Sequence, residues 1–99
     1  MIETTFEWDD AKNLSNERKH GIRFELAVLA FLDPLVISVK DRVEGGEERW
    51  QTLGRVEGLL LLLVAHTVHN ASPAEEVIRI ISARRATPKE RRRYEEENR

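Results

Sequence analysis

The feature that most constrains this chain is the segment 78–94, where an apolar stretch gives way to a strongly basic one. The apolar stretch predicts a buried strand. Thr87 is a good helix N-cap, Pro88 suits the first helical position, and Glu90 completes a Thr-x-x-Glu capping box. The sequence therefore predicts a strand that runs directly into a capped helix.

The same segment concentrates basic side chains. They are Arg79, Arg84, Arg85, Lys89, Arg91, Arg92 and Arg93. Guanidinium groups match phosphate oxygens, so a rigid strand that presents several of them suggests a phosphate-handling surface. The other interpretation of residues 91–93 is a solvated helix face that pairs with the glutamates at 95–97. Arg79 lies inside an apolar strand, where an unpaired charge is costly, and we favour a functional role for it.

Periodicity and turn signals give the order of elements. Strands are predicted at about 6–8, 35–39, 49–56, 59–66 and 76–83, and helices at about 9–19, 24–32 and from 88 onward. Gly54 is expected to interrupt its strand, and residues 68–75 are expected to form a loop. Segregated helices and antiparallel hairpins indicate one α+β domain over residues 1–99. It would have a four- to five-stranded antiparallel sheet, two N-terminal helices packed on it, and a basic C-terminal helix.

Composition and charge exclude several classes of protein. The net charge is −2, with −4 in residues 1–50 and +2 in residues 51–99. This balance suits an enzyme that touches a few phosphates better than a protein that coats nucleic acid. The absence of cysteine excludes disulfides and thiolate sites. The longest apolar run, 59–65, is too short to span a bilayer, and no signal peptide is visible, so we expect a cytoplasmic protein without a membrane partner.

No metal or cofactor motif is persuasive. His66 and His69 are three residues apart at a predicted strand end, a spacing that does not place two ligands on one face. Gly45-Gly46 lacks the Lys and Ser/Thr of a phosphate-binding loop. We therefore expect neither a bound metal nor a cofactor.

The remaining polar groups fit RNA cleavage without a metal. That reaction needs a group that takes the 2′-hydroxyl proton, a group that protonates the 5′-oxygen, and fixed cations near the phosphorus. The candidates are Lys19, His20, Glu48, Arg49, Arg79 and Arg84. Lys19 and His20 also have a simpler explanation, since cations suit the negative end of a helix dipole.

Blocks of residues from Phe6 to Tyr94 form a specific combined pattern. They are Phe6-Glu7-Trp8-Asp9, Lys12-Asn13, Asn16, Lys19-His20-Gly21, Phe24, Asp33-Pro34, Glu47-Glu48-Arg49-Trp50, Gly54 and Arg79-Ile80-Ile81-Ser82-Ala83-Arg84-Arg85-Ala86, with Glu90 and Tyr94. This pattern closely resembles the BrnT family of bacterial toxins, which belong to type II toxin–antitoxin systems. Two parts depart from it: Arg23 stands where a small capping residue is common, and residues 65–76 follow no family block.

The resemblance implies a RelE-like ribonuclease fold, with helices on one side of an antiparallel sheet and an RNA-cleaving surface on the other. It implies metal-independent RNA cleavage, growth arrest by the free toxin, and neutralisation by a cognate BrnA-type antitoxin. That antitoxin is expected to carry a DNA-binding domain, to bring the complex to its own promoter DNA for autorepression, and to form a two-plus-two complex with the toxin.

Chemistry and resemblance together give a set of site residues. Catalysis is assigned to Lys19, His20, Glu48, Arg79 and Arg84, and RNA binding to Arg49, Arg85, Lys89, Arg92 and Tyr94. The assignment requires the five catalytic side chains to share one groove. The alternative is a non-catalytic module whose basic helix docks an acidic partner or nucleic acid in a repressor complex. Whether His66 contributes to the site or only packs is left open.

Overall fold

A computed structural model describes all 99 residues, which form one five-stranded sheet and three α-helices. The strands are β1 (Glu3–Glu7), β2 (Ile37–Glu44), β3 (Glu47–Val56), β4 (Leu60–Ser72) and β5 (Glu75–Arg85), and the helices are α1 (Asp10–His20), α2 (Phe24–Val28) and α3 (Pro88–Glu97). A short 3-10 helix, Leu29–Leu32, continues α2. The sheet order is β1-β5-β4-β3-β2. The predicted α+β class is confirmed, and no helix is both long enough and apolar enough to cross a membrane.

The strand pairing corrects two expectations. Strands β2 to β5 are antiparallel neighbours, but β1 pairs with β5 in parallel, so the sheet is mixed at one edge. The predicted loop at 68–75 is wrong, because Val68, His69 and Asn70 continue β4 and pair with β5. Turn-forming residues mark the hairpin correctly near Pro73, yet pairing with a long neighbouring strand keeps the polar residues before it extended.

Gly54 does not interrupt β3, contrary to expectation, and its role is to allow a close approach. A Cβ atom added at Gly54 would lie 2.0 Å from the carbonyl oxygen of Ala30. No side chain fits in that space, so a glycine here lets the 3-10 helix rest directly on the sheet backbone.

Helix α1 lies against β5, and one face of the sheet is covered by α2 and the 3-10 helix. Its core comprises Ile22, Phe24, Ala27, Ala30, Val56, Leu62, Val64, Ile78, Ile80 and Ala83. Helix α1 begins at the predicted cap, where the Asp9 carboxylate accepts a hydrogen bond from the Lys12 amide, and it ends at Gly21 in the left-handed conformation. Its two buried residues are both asparagines, Asn13 and Asn16.

Asn16 joins α1 to β5 through directional hydrogen bonds. Its Nδ2 donates to the carbonyl oxygens of Ile22 and Ala83, each at 2.8 Å, and its Oδ1 accepts from the Ala83 amide at 3.1 Å. Asn13 adds bonds to the Phe24 amide and the Glu25 carboxylate, both at 2.8 Å. The position of α1 therefore depends on amide hydrogen bonds more than on apolar packing.

The other face of the sheet is covered at one end only, by α3. The predicted capping box of Thr87 and Glu90 is present. Tyr94 packs among Leu53, Leu61 and Leu63 and is 3% exposed. Its hydroxyl donates to the Asp33 carboxylate, so the structure places Tyr94, a predicted RNA-binding residue, inside this packing layer.

Candidate functional site

The end of the sheet that α3 leaves open carries a row of polar side chains across four strands. Glu7 of β1 lies opposite Arg79 of β5, and Arg79 lies opposite Thr67 of β4. The antiparallel register of β3 and β4 places Arg49 next in the row. Residues opposite each other in register share a face of the sheet, so these side chains lie side by side.

These residues lie in a groove of about 490 Å³. Its lining residues are Glu7, Lys12, Glu47, Arg49, Thr67, His69, Val77, Arg79 and Ile81. Arg49 and Arg79 are on the two strands that flank β4, so their backbones are two strand spacings apart, about 9.6 Å. Two side chains as long as arginine can converge from that separation on one anion above Thr67.

The two guanidinium groups have donors to spare. Arg79 is exposed and has no carboxylate within 4.0 Å. Arg49 approaches Glu44 and Glu47 only at 4.0 and 3.9 Å, and its buried Nε has no hydrogen-bond partner. A buried donor without a partner is costly, which makes it a natural contact for an anionic ligand. Contrary to expectation, Arg79 is not enclosed by apolar surroundings, because no helix covers its part of the face.

A second, smaller groove of about 170 Å³ adjoins the first along α1. It is lined by Lys12, Ser15, Asn16, Lys19, His20, Ile81 and Ser82. Lys12 and Ile81 line both grooves, so the two are adjacent. Ile81 is the extra residue of a β-bulge: Ala65 pairs with Ser82, and His66 pairs with Ile80. Such a bulge re-aims side chains locally.

Three of the five predicted catalytic residues line the two adjacent grooves, but they do not share one. Arg79 lies in the larger groove, and Lys19 and His20 lie in the smaller one. Glu48 alternates with Arg49 along β3, so it points to the opposite face, where its carboxylate is 3.3 Å from Lys40 Nζ. The expectation of one groove for all five is therefore incorrect for Glu48.

Arg84 is also outside the grooves. Its guanidinium donates two hydrogen bonds to the Glu90 carboxylate, at 2.8 and 2.9 Å, beside the capping box. This bond lowers the pKa of Glu90 and raises the pKa of Arg84. A bidentate pair of this kind leaves little of the guanidinium free for a substrate, so Arg84 acts here as a brace between β5 and α3.

Among the predicted RNA-binding residues, only Arg49 reaches the groove. Arg85 lies opposite Leu62 and so projects on the face that α2 and the 3-10 helix cover. Lys89 and Arg92 are exposed on α3, whose four basic and four acidic residues cancel in charge. The helix is therefore not the strongly cationic surface that its first half suggests.

Five groove residues were missed by the sequence reasoning: Glu7, Lys12, Glu47, Thr67 and His69. Glu7 enters the site through the parallel pairing of β1, which no local pattern announces. His69 and Thr67 belong to the part of β4 that was not recognised as strand. Lys12 and Glu47 belong to the sequence blocks that carry the family resemblance, which was the one indication in the sequence that they lie in the site.

The two neighbouring histidines lie on opposite faces of β4. His66 is 2% exposed; its Nε2 is 2.6 Å from the Thr52 hydroxyl, which is 2.7 Å from that of Ser38. Burial lowers the pKa of His66. His66 therefore packs and does not line either groove, and no group of three or more His, Asp or Glu side chains is placed to hold a metal ion.

Comparison with known proteins shows similarity to a family model and to solved structures. The model of a family described as the ribonuclease toxin BrnT of type II toxin–antitoxin systems matches residues 8–90. The 1.1 Å crystal structure of the Brucella abortus ribonuclease toxin BrnT is similar over 88% of this chain and 99% of that one, with 24% identity and a TM-score of 0.57. No curated protein matches. The predicted family resemblance is confirmed by the family model, and the fold by the crystal structure.

Proposed function

Because the chain belongs to the BrnT family of ribonuclease toxins of type II toxin–antitoxin systems, we propose that it is a metal-independent endoribonuclease whose centre is the larger groove. The observation that carries this proposal is the row of Glu7, Arg79, Thr67 and Arg49 across four strands. It offers two guanidiniums with free donors and a hydroxyl at one place, as a scissile phosphate requires.

In the proposed reaction the ribose 2′-oxygen attacks the phosphorus while the bond from phosphorus to the 5′-oxygen breaks. A base takes the 2′-hydroxyl proton and an acid protonates the departing 5′-oxygen, so the products are a 2′,3′-cyclic phosphate and a 5′-hydroxyl end. Arg79 and Arg49 stabilise the extra negative charge on the pentacovalent phosphorus. Arg79 thus keeps the catalytic role predicted from the sequence, and Arg49, predicted there to bind RNA, also takes a catalytic role.

For proton transfer we propose His69 with one of the two groove carboxylates, Glu7 or Glu47. His69 is exposed and lies on β4 two residues from Thr67, the register partner of Arg79, so His69 and Arg79 are diagonal neighbours on one face of the sheet. Imidazole is the side chain best suited to give and take protons near neutral pH. Glu48 points to the opposite face of the sheet and Arg84 is held by Glu90, so neither has a role in this reaction.

The test is cleavage of a defined RNA oligonucleotide by purified protein in EDTA. We expect fragments that carry a 2′,3′-cyclic phosphate, at a rate that added magnesium does not raise. The alternative function, a non-catalytic module of a repressor complex, would instead show salt-sensitive RNA binding and intact RNA. In cells, expression of the chain alone is expected to arrest growth and deplete RNA.

Family membership implies an antitoxin partner. We propose that this is a BrnA-type protein with a DNA-binding domain, that it covers part of the cationic groove, and that the complex represses its own promoter in the cytoplasm. The toxin surface has unpaired cations and free strand edges at β1 and β2, which a partner would shield. A two-plus-two assembly is expected by light scattering; a one-to-one heterodimer would contradict it.

A further inference from the structure

Helix α1 presents a polar stripe that the proposed chemistry does not use. Lys12, Ser15 and Lys19 recur at spacings of three and four residues, which places them along one side of the helix, and His20 follows Lys19 and lines the same groove. The acidic residues Asp10 and Glu17 lie about 150° round the helix from the stripe's axis, at 100° per residue. The stripe is therefore cationic although the helix as a whole is not.

The cations of the stripe are free to bind. None of Lys12, Lys19 and His20 has a carboxylate within 4.0 Å, whereas the acidic residue Glu17 is taken by Arg23 at 3.8 Å. A preference for the negative end of the helix dipole would explain cations in the last turn. It does not explain why Lys12, in the first turn, lies on the same side and lines both grooves.

We propose that this stripe is a subsite for the phosphates that flank the scissile one, so that the substrate is an RNA strand several nucleotides long. The inference rests on the proposed function, because it takes the scissile phosphate to lie between Arg49 and Arg79. Lys12 stands where the two grooves join, and Lys19 lies about 10.5 Å further along the helix axis. That length covers roughly three stacked nucleotides at about 3.4 Å each.

On this proposal Lys19 and His20 position the strand and do not transfer protons. The original assignment of these two residues to catalysis is thereby replaced by a binding role outside the reacting centre. The floor between the two regions is Ile81, the bulged residue of β5, which gives the strand an apolar surface to cross.

The experiment measures binding of fluorescent 2′-O-methyl RNA, which lacks the attacking hydroxyl and is not cleaved. A dinucleotide and an octanucleotide are compared by anisotropy at about 0.1 M salt for wild type, Lys19→Gln and Arg18→Gln. Wild type is expected to bind the octanucleotide more tightly. Lys19→Gln is expected to reduce the octanucleotide-to-dinucleotide affinity ratio about fivefold and the salt slope by about 0.7, as for one lost phosphate contact.

Arg18→Gln is the matched control. Arg18 is exposed in the same turn, has no ion pair and lies away from the stripe, so the same change in charge should leave the affinity ratio at the wild-type value. An equal loss of affinity for both oligonucleotides in Lys19→Gln would overturn the subsite, as would wild-type protein that binds both lengths alike. Length-dependent binding by a protein that cleaves no RNA would instead support the subsite and refute the proposed nuclease activity.

Discussion

Two arginines on one strand, five residues apart, show how differently the two ends of a single sheet face are organised. At the end covered by α3, Arg84 is held by Glu90 through two short hydrogen bonds. At the open end, Arg79 has no carboxylate within ion-pair distance and lies in a groove with Arg49. The same side chain therefore stabilises the fold in one place and remains available for an anion in the other, and only the surroundings distinguish the two.

The largest effect is expected at the open end. Arg79→Ala should lower the RNA cleavage rate about 100- to 1000-fold, as for loss of one preorganised donor at a transition state. Its free energy of unfolding should stay within about 0.5 kcal/mol of wild type, because Arg79 is exposed and unpaired. Arg79→Lys should be intermediate, since a lysine keeps the charge but loses the fork.

Arg91→Ala is the control for that comparison. Arg91 is exposed on α3 without an ion pair, so its removal should leave the cleavage rate unchanged. If Arg91→Ala and Arg79→Ala had the same effect on the rate, charge in general would matter and the groove would have no special role.

Helix α1, which borders the open end, should show the next largest effect, on the free energy of unfolding. Asn16→Ala removes partners from both backbone groups of Ala83 and from the Ile22 carbonyl, and should cost about 3 kcal/mol in urea unfolding. Leu14→Ala, at a site 51% exposed on the same helix, should change stability by less than about 0.5 kcal/mol. Equal losses in the two variants would show that α1 is held by something other than its asparagines.

The covered end should respond in stability and not in chemistry. Arg84→Ala should lower the free energy of unfolding by about 1 kcal/mol, a modest value because the side chain is 37% exposed. A double-mutant cycle with Glu90→Ala should show that most of this energy is coupling between the two. Loss of RNA cleavage in a stably folded Arg84→Ala protein would return Arg84 to the catalytic set.

The smallest expected effect is a pH dependence from His66, on the face that α2 and the 3-10 helix cover. Burial lowers the pKa of His66, so the unfolded chain binds a proton more readily than the folded one. This contribution should destabilise the protein as the pH falls through about 6.5, the ordinary histidine value, and should be absent at higher pH. Between pH 7.5 and 5.5 the urea midpoint should fall less in His66→Gln than in wild type. If the midpoint falls equally with pH in both proteins, His66 is excluded as the cause.

The sequence predicted the local features well because their causes are local. The capping box at Thr87, the cap at Asp9 and the stop at Gly21 each depend on residues within one turn, and each is present. The buried strand at 59–66 and the overall α+β class followed from composition and periodicity in the same way.

The site could be predicted only in part because it depends on register and on coverage of the sheet. Glu48 and Arg49 are adjacent in sequence yet point to opposite faces, and a period of two does not say which face a helix will cover. Glu7 entered through a parallel pairing between residues more than 70 positions apart. Arg84 was assigned to chemistry because a glutamate six residues away, across a strand-to-helix turn, was not foreseen as its partner.

The hydrogen bonds of the Asn16 side-chain amide determine how well the site tolerates substitutions elsewhere in the protein. They join α1 to Ala83 of β5 at fixed hydrogen-bond lengths, and these two elements line the smaller groove. Hydrogen bonds weaken steeply with distance and angle, whereas apolar attraction is non-directional. Loss of the Asn16 amide is therefore expected to change the width of the smaller groove more than a volume-conserving exchange in the leucine and isoleucine layer.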